Sequence, residues 1–217
     1  MSVKLIIFDL DGTLLDTLAD LHCAVNHALS SFRHPLRSPE EVRSFVGNGI
    51  PMLIRRAAPA GTSDRELGQL ERCFSDYYSA HQSDFTRPYA GISQLLHRLR
   101  SGGCLTAVVS NKQDQYVRSL CDRFFPNLFD CRVGARENLS PKPSPDLVGL
   151  VLQELNLSAA QTVYIGDSEV DLETADNCGI PCILVDWGFR NAADLRKKGA
   201  SVIVSSPEEI LRSLDFL

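Results

Sequence analysis

Val3-Lys4-Leu5-Ile6-Ile7-Phe8-Asp9-Leu10-Asp11-Gly12-Thr13-Leu14 decides the fold. A mostly apolar run that empties into two carboxylates and a glycine reads as a central strand with a site at its C-terminal edge. On an extended backbone Asp9 and Asp11 point the same way, while Leu10 turns back toward the core. Two like charges that close disfavour double ionisation unless a cation lies between them or one carboxyl keeps its proton. The pair is therefore either a metal site with a nucleophile or an acid/base pair. By itself the fragment also serves as a solvated Asp-Gly turn.

Beyond Leu14 the pattern is helical for some seventy residues, with no convincing strand. Leu18, Leu21, Val25, Ala28 and Leu29 recur at helical spacing. Ser38-Pro39-Glu40-Glu41 combines an N-cap, a first-turn proline and a capping-box glutamate. Gly47-Asn48-Gly49 interrupts before a short helix, and Ser63 with Glu66 opens another whose Leu67, Leu70, Phe74, Tyr77 and Tyr78 form a packing stripe. From Gly91 strands and helices alternate: strands near Cys104–Val109, Cys131–Val133, Thr162–Ile165, Pro181–Val185 and Ser201–Val204, with helices between. That alternation predicts an α/β fold, a Rossmann-like parallel sheet covered on both faces, with an inserted helical cap. Residues 1–15 and 89–217 are expected to form the core, and 16–88 the cap.

The 217 residues suit one large domain or a domain with a modest insert. A hydrophobic content of 44% and a charged content of 23% suit a soluble globular protein, and the net charge of −5 offers no basic footprint for nucleic acid. No signal-peptide pattern or long apolar helix stands at the start, so a cytoplasmic protein without membrane association is expected. The seven cysteines are scattered without a CxxC pair, which suits a reducing cytosol better than a disulfide framework or a zinc site.

The predicted sheet tests the Asp9/Asp11 reading, because ligands gather at strand C-termini. Val109 leads into Ser110-Asn111, Ile165 into Gly166-Asp167-Ser168 with Asp171 a turn later, and Lys142 stands between Pro141 and Pro143. Singly, Ser110-Asn111 reads as a helix cap, Lys142 as a solvated loop residue, Asp167 as a cap and Asp171 as a surface residue. Their conjunction at the ends of successive strands supports one site.

These four segments resemble the motifs of the haloacid dehalogenase superfamily of phosphatases: Asp9-x-Asp11-Gly12-Thr13, Ser110-Asn111, Lys142-Pro143 and Gly166-Asp167-Ser168-x-x-Asp171. Asp11 and Asp167 favour phosphoryl chemistry over dehalogenation. The resemblance implies Asp9 as nucleophile, Asp11 as proton carrier and Lys142 as a fixed positive charge. It implies Mg²⁺ held by Asp9, Asp167 and the Asp11 carbonyl, with Asp171 supporting the shell. Ser110 and the Asn111 N–H, placed at a helix N-terminus, would hold phosphoryl oxygens.

The insert resembles the cap of the phosphoglycolate phosphatase subfamily. Val46-Gly47-Asn48-Gly49 is similar to its substrate-facing loop, and Arg87-Pro88-Tyr89-Ala90-Gly91 to its return hinge. Arg43, Arg55 and Arg56 are the candidates to meet a substrate carboxylate, and each also reads as a solvated arginine. The implied substrate is a small phosphorylated metabolite, foremost 2-phosphoglycolate, with pyrophosphate and sugar phosphates next. A phosphosugar mutase would require cap groups to orient the sugar, and no His-Lys pair offers them. A non-catalytic binding protein on this fold would be expected to have lost Asp9, Asp11, Lys142 or Asp167, and all are present. The apolar cap positions suit a homodimer as readily as a monomer's core.

Overall fold

A computed structural model describes residues 3–214. The apolar run forms β1 (Leu5–Phe8), all four residues buried. A two-residue strand β2 (Leu15–Asp16) follows, then helices α1 (Leu18–Ser31), α2 (Pro39–Phe45), α3 (Gly49–Ala57) and α4 (Asp64–His81), then a short strand β3 (Arg87–Pro88). Alternation begins with α5 (Ile92–Ser101), β4 (Leu105–Gln113), α6 (Asp114–Phe124), β5 (Cys131–Ala135) and α7 (Asp146–Leu155). It continues through β6 (Thr162–Gly166), α8 (Glu169–Cys178), β7 (Cys182–Val185), α9 (Ala192–Lys197), β8 (Ile203–Val204) and α10 (Pro207–Leu214).

Six strands pair in parallel in the order β5-β4-β1-β6-β7-β8. Counting only these strands along the chain gives 3-2-1-4-5-6, the doubly wound order, whose switch point lies between β1 and β6. Asp9 and Asp167 follow those two strands directly and so face one crevice. The period-two alternation of β1 feeds both faces of the sheet. Ile6 and Phe8 pack with residues of α5, α6 and α10, while Leu5 and Ile7 pack with residues of α7 and α8.

The cap-like insertion has its own core. Leu21 and Val25 of α1, Val42 of α2, Leu53 of α3 and Phe74 and Tyr78 of α4 cluster with Tyr116 and Phe189 from the sheet side. The Ser38 capping box forms as expected, with Ser38 Oγ accepting from Glu41 N and Glu41 Oε2 from Ser38 N. At its base the chain departs from the expectation of no strand. β2 and β3 pair antiparallel, Leu15 with Pro88 and Asp16 with Arg87, so the two connections form one ribbon. Buried Asp20 accepts from Phe85 N, Thr86 N and Thr86 Oγ1 at 3.0, 2.8 and 2.7 Å, which fastens the returning strand to α1.

Another departure shapes the site. β4 does not stop at Val109 but runs to Gln113, because Gln113 regains pairing with Ala135 past an irregularity. Ser110 and Asn111 therefore lie within the strand, not at a helix N-terminus, and α6 starts only at Asp114. Among the described residues no helix is long and apolar enough to cross a membrane. All seven cysteines are free thiols.

Candidate active site

Four strand ends bring Asp9, Asp11, Ser110, Lys142, Asp167 and Asp171 together, each nearly or wholly withdrawn from solvent. Asp9 Oδ1 accepts the Leu10 N–H at 2.7 Å and lies 3.1 Å from Lys142 Nζ. Lys142 Nζ also donates to Asp171 Oδ1 at 2.7 Å and to the Tyr164 hydroxyl at 3.1 Å. Asp171 closes the first turn of α8, its Oδ2 accepting from the N–H groups of Asp167 and Ser168 and from Ser168 Oγ at 2.6 Å. Asp171 is thus a capping residue and the partner of Lys142 at once.

Asp167 is crowded on three sides. Thr13 Oγ1 donates to Oδ1 at 3.3 Å and the Phe189 N–H to Oδ2 at 2.7 Å. Gly12 sits at a φ of +85°, and a Cβ there would run into the Asp167 carboxylate. The glycine serves both the left-handed turn after Asp11 and the close approach of the first and fourth strand ends.

Asn111 acts through its side chain rather than only its N–H. Its Oδ1 accepts from Lys142 N at 2.7 Å, and its Nδ2 donates to Lys142 O and to Gly47 O, both at 3.0 Å. It fixes the lysine-bearing loop and holds the cap loop against the sheet. Ser110 Oγ accepts from Lys112 N at 3.3 Å.

Sequence reasoning missed Lys112. Its Nζ lies 3.0 Å from each Asp11 oxygen and 4.7 Å from the centre of the Tyr78 ring. The signal was weak, because a lysine after Ser110-Asn111 looks solvated when the strand is taken to end at Val109. Tyr164, inside the apolar β6, was missed for the same kind of reason: its hydroxyl reaches Lys142 and Asp171 in the interior.

Burial pushes the Asp9 carboxyl up to about 6, with Asp171 and Asp11 adding to the rise and Lys142 opposing it. Burial, then Asp171 and Asp9, hold Asp167 well above the usual carboxylate range. For Lys142 burial works against the charge, but Asp171 and Asp9 overcome it, and the ammonium is held well above its ordinary value. Lys112 is raised in the same way, burial opposing and Asp11 prevailing. Four carboxylates thus face two ammonium groups, an excess of two negative charges when all are ionised. Oxygens of Asp9, Asp167 and Asp171 come within 4.8 Å of one another, a buried all-oxygen set able to hold a divalent cation. The Asp11 carboxylate stands outside this set and is taken by Lys112.

Above the acids lies a cavity of about 50 Å³ between sheet and cap. Gly47, Gly49, Ile50, Leu53, Phe74, Tyr78 and Phe189 line it, along with Lys112 and Arg190. The arginines expected to meet a substrate carboxylate are elsewhere. Exposed Arg43 lies outside the lining, and what α2 offers there is its carbonyl, which accepts from Arg190 Nη1 at 3.2 Å. Arg55 pairs with Asp64 on the surface, and Arg56 donates to Phe45 O and to Asn48 Oδ1. That bond turns Asn48 away from the cavity, so only Gly47 of the expected loop pair lines it.

The model of the haloacid dehalogenase-like hydrolases matches residues 6–185. The chain belongs to that family. A phosphoglycolate phosphatase of Cereibacter sphaeroides is 35% identical over 191 residues, covering 86% of this chain and 87% of that protein. One from Pseudomonas syringae pv. syringae is 30% identical over 214 residues, covering 96% and 78%. The crystal structure of a candidate phosphoglycolate phosphatase from Lactobacillus delbrueckii subsp. bulgaricus superposes with a TM-score of 0.94 at 33% identity, covering 99% of each chain. The family's chemistry is hydrolysis through an aspartyl intermediate.

Proposed function

We propose that this hydrolase cleaves 2-phosphoglycolate to glycolate and inorganic phosphate, with Asp9 as nucleophile and Mg²⁺ as cofactor. The observation that carries the reading is the small cavity directly over Asp9 and Asp11, which leaves space for a leaving group of a few heavy atoms. The likeness to phosphoglycolate phosphatases over nearly the whole chain supports the same substrate.

Both polar contacts of the Asp9 carboxylate fall on Oδ1, which fixes the group and leaves Oδ2 to attack the substrate. Asp9 attacks phosphorus, the bond to the ester oxygen breaks, and Asp11 gives its proton to the departing glycolate oxygen. Asp11 then takes a proton from water, whose oxygen attacks the aspartyl-phosphate. The acyl–phosphate P–O bond breaks, releasing inorganic phosphate and restoring the Asp9 carboxylate. Lys142 holds a positive charge beside Asp9 throughout, and Ser110 and the Asn111 N–H bind phosphoryl oxygens. Asp9 and Asp167 would hold Mg²⁺ with Asp171 behind them, and the cation supplies charge neutralisation for the phosphoryl oxygens and the crowded carboxylates.

The test is kcat/KM with Mg²⁺ over a panel of small phosphorylated acids, sugar phosphates and pyrophosphate. 2-Phosphoglycolate should lead the panel by about tenfold or more. Comparable values throughout would overturn the substrate. Asp9→Asn should lower kcat by roughly a thousandfold or more, and full activity in that variant would overturn the nucleophile.

A further inference from the structure

We propose that Lys112, together with the Tyr78 hydroxyl, binds the carboxylate of the substrate and so sets the preference for phosphate esters that carry a carboxylate one carbon from the ester carbon. The inference rests on the phosphatase reading of Asp9 and Asp11 and adds a residue that selects the substrate.

Of the side chains lining the cavity, only Lys112 and Arg190 are cationic. Arg190 is committed: Nε to Glu169 at 3.2 Å, Nη1 to Arg43 O at 3.2 Å and Nη2 to Val46 O at 3.1 Å. Lys112 is not so bound. Its buried ammonium pairs with the Asp11 carboxylate, and its other side lies over the Tyr78 ring. The Tyr78 hydroxyl is buried and has no hydrogen-bond partner. A buried donor without an acceptor, next to an ammonium in a cavity whose walls combine the acids with Ile50, Leu53, Phe74 and Phe189, is arranged for an anion.

Distances agree with a short acid. Asp11 must reach the ester oxygen at about 3 Å to pass its proton. Lys112 Nζ, 3.0 Å from the Asp11 oxygens, then stands within about 6 Å of that ester oxygen. A carboxylate one carbon beyond the ester carbon projects roughly 3–4 Å from the same oxygen by ordinary bond lengths. It therefore meets the ammonium with little movement. A neutral substituent at that place offers no charge to the Lys112 ammonium, which then stays with Asp11, and only a weaker acceptor or none to the Tyr78 hydroxyl, so it is held less firmly. Engaging the substrate also loosens Lys112 from Asp11, so that Asp11 can turn one oxygen toward the ester.

The experiment compares kcat/KM for an acid and its neutral amide: 2-phosphoglycolate against 2-phosphoglycolamide, and 2-phospholactate against 2-phospholactamide. In the unaltered enzyme the acid should lead by about tenfold to hundredfold. Lys112→Met should bring that ratio close to one, and Tyr78→Phe should lower it about threefold, mainly through KM. Equal losses on acid and amide in Lys112→Met would overturn the proposal, because Lys112 would then only position Asp11. Should Lys112→Met not fold, an unchanged ratio in Tyr78→Phe together with an unchanged ratio in the uncharged Lys112→Gln would overturn it instead. Suppose 2-phosphoglycolate is a poor substrate while the phospholactate pair shows the ratio and Lys112→Met removes it. The phosphoglycolate reading then fails and Lys112 stands. No acid preference in either pair overturns Lys112 whatever the best substrate proves to be.

Discussion

Two lysines flank the acid pair, and their surroundings differ. Lys142, on the sheet side, is locked: Asp9, Asp171 and Tyr164 take its ammonium, and Asn111 takes its backbone on both sides. Lys112, on the cap side, has one ionic partner and lies over a tyrosine ring whose hydroxyl lacks any partner. Saturated hydrogen bonding holds a group in place for a reaction common to a family, while a cation with spare donors can accept a partner that varies. On the proposed reading, chemistry thus resides at the strand ends, and selection where the insertion meets them.

Removing Lys142 gives the largest loss of stability and tests the locked side most directly. Lys142→Met would leave Asp9 and Asp171 as unpaired buried charges. Losing one partner of a buried pair costs about 3–5 kcal/mol. Urea unfolding in metal-free buffer near neutral pH should show that loss, and kcat should fall about a hundredfold or more. Lys112→Met should cost less stability, since it strands one carboxylate, whereas Lys142→Met strands two, of which Asp171 is wholly buried. Equal losses in the two variants would break the contrast.

A pH experiment sharpens it. The Asp9 carboxyl is raised from 3.8 to about 6, chiefly by burial, so the metal-free folded state binds this proton more tightly than the unfolded chain does. The stabilisation is complete below the unfolded value and is lost as pH climbs through about 6, a swing of roughly 3 kcal/mol from this group. Asp9→Asn removes the swing. The variant should match the parent near about pH 4 and exceed its stability by up to about 3 kcal/mol above about pH 7, without divalent cations. Mg²⁺ should then stabilise the parent above about pH 7 and leave the variant almost unmoved. Parallel pH curves for the two proteins would show that Asp9 carries no such burden.

Much of the locked side was legible in the sequence. Asp9, Lys142 and Asp167 follow apolar runs or stand between prolines; each alone has an ordinary structural reading, and it was their conjunction at successive strand ends that drew attention to them. Lys112 and Tyr78 lacked that contrast. Tyr78 fits the helical stripe of α4 that it helps to bury, and its ring meets Lys112 only because α4 packs over the end of β4. The β2–β3 ribbon was hidden because two-residue strands carry no period. The insert's arginines misled for the opposite reason. A charge pattern tells that a helix face is polar, not which way the face turns, and Arg43 and Arg55 turn to solvent.

The smallest effect concerns the tie between the two sides. Arg190 joins Glu169 of α8 to the carbonyls of Arg43 and Val46, and Asn111 and Tyr116 add bonds to Gly47 O and Ser75 O. Arg190→Met keeps much of the side-chain volume but releases the two cap carbonyls, which can turn to water because the contact is partly exposed. Stability should fall by about 1 kcal/mol. The insertion would close less firmly, so KM for a small anionic ester should rise several-fold while kcat at saturation changes little, the acids being anchored in the sheet. A kcat loss as large as that of Lys142→Met would mean that the seal belongs to the chemistry after all. The division between a locked reactive edge and an adaptable cap would then fail at the residue that joins them.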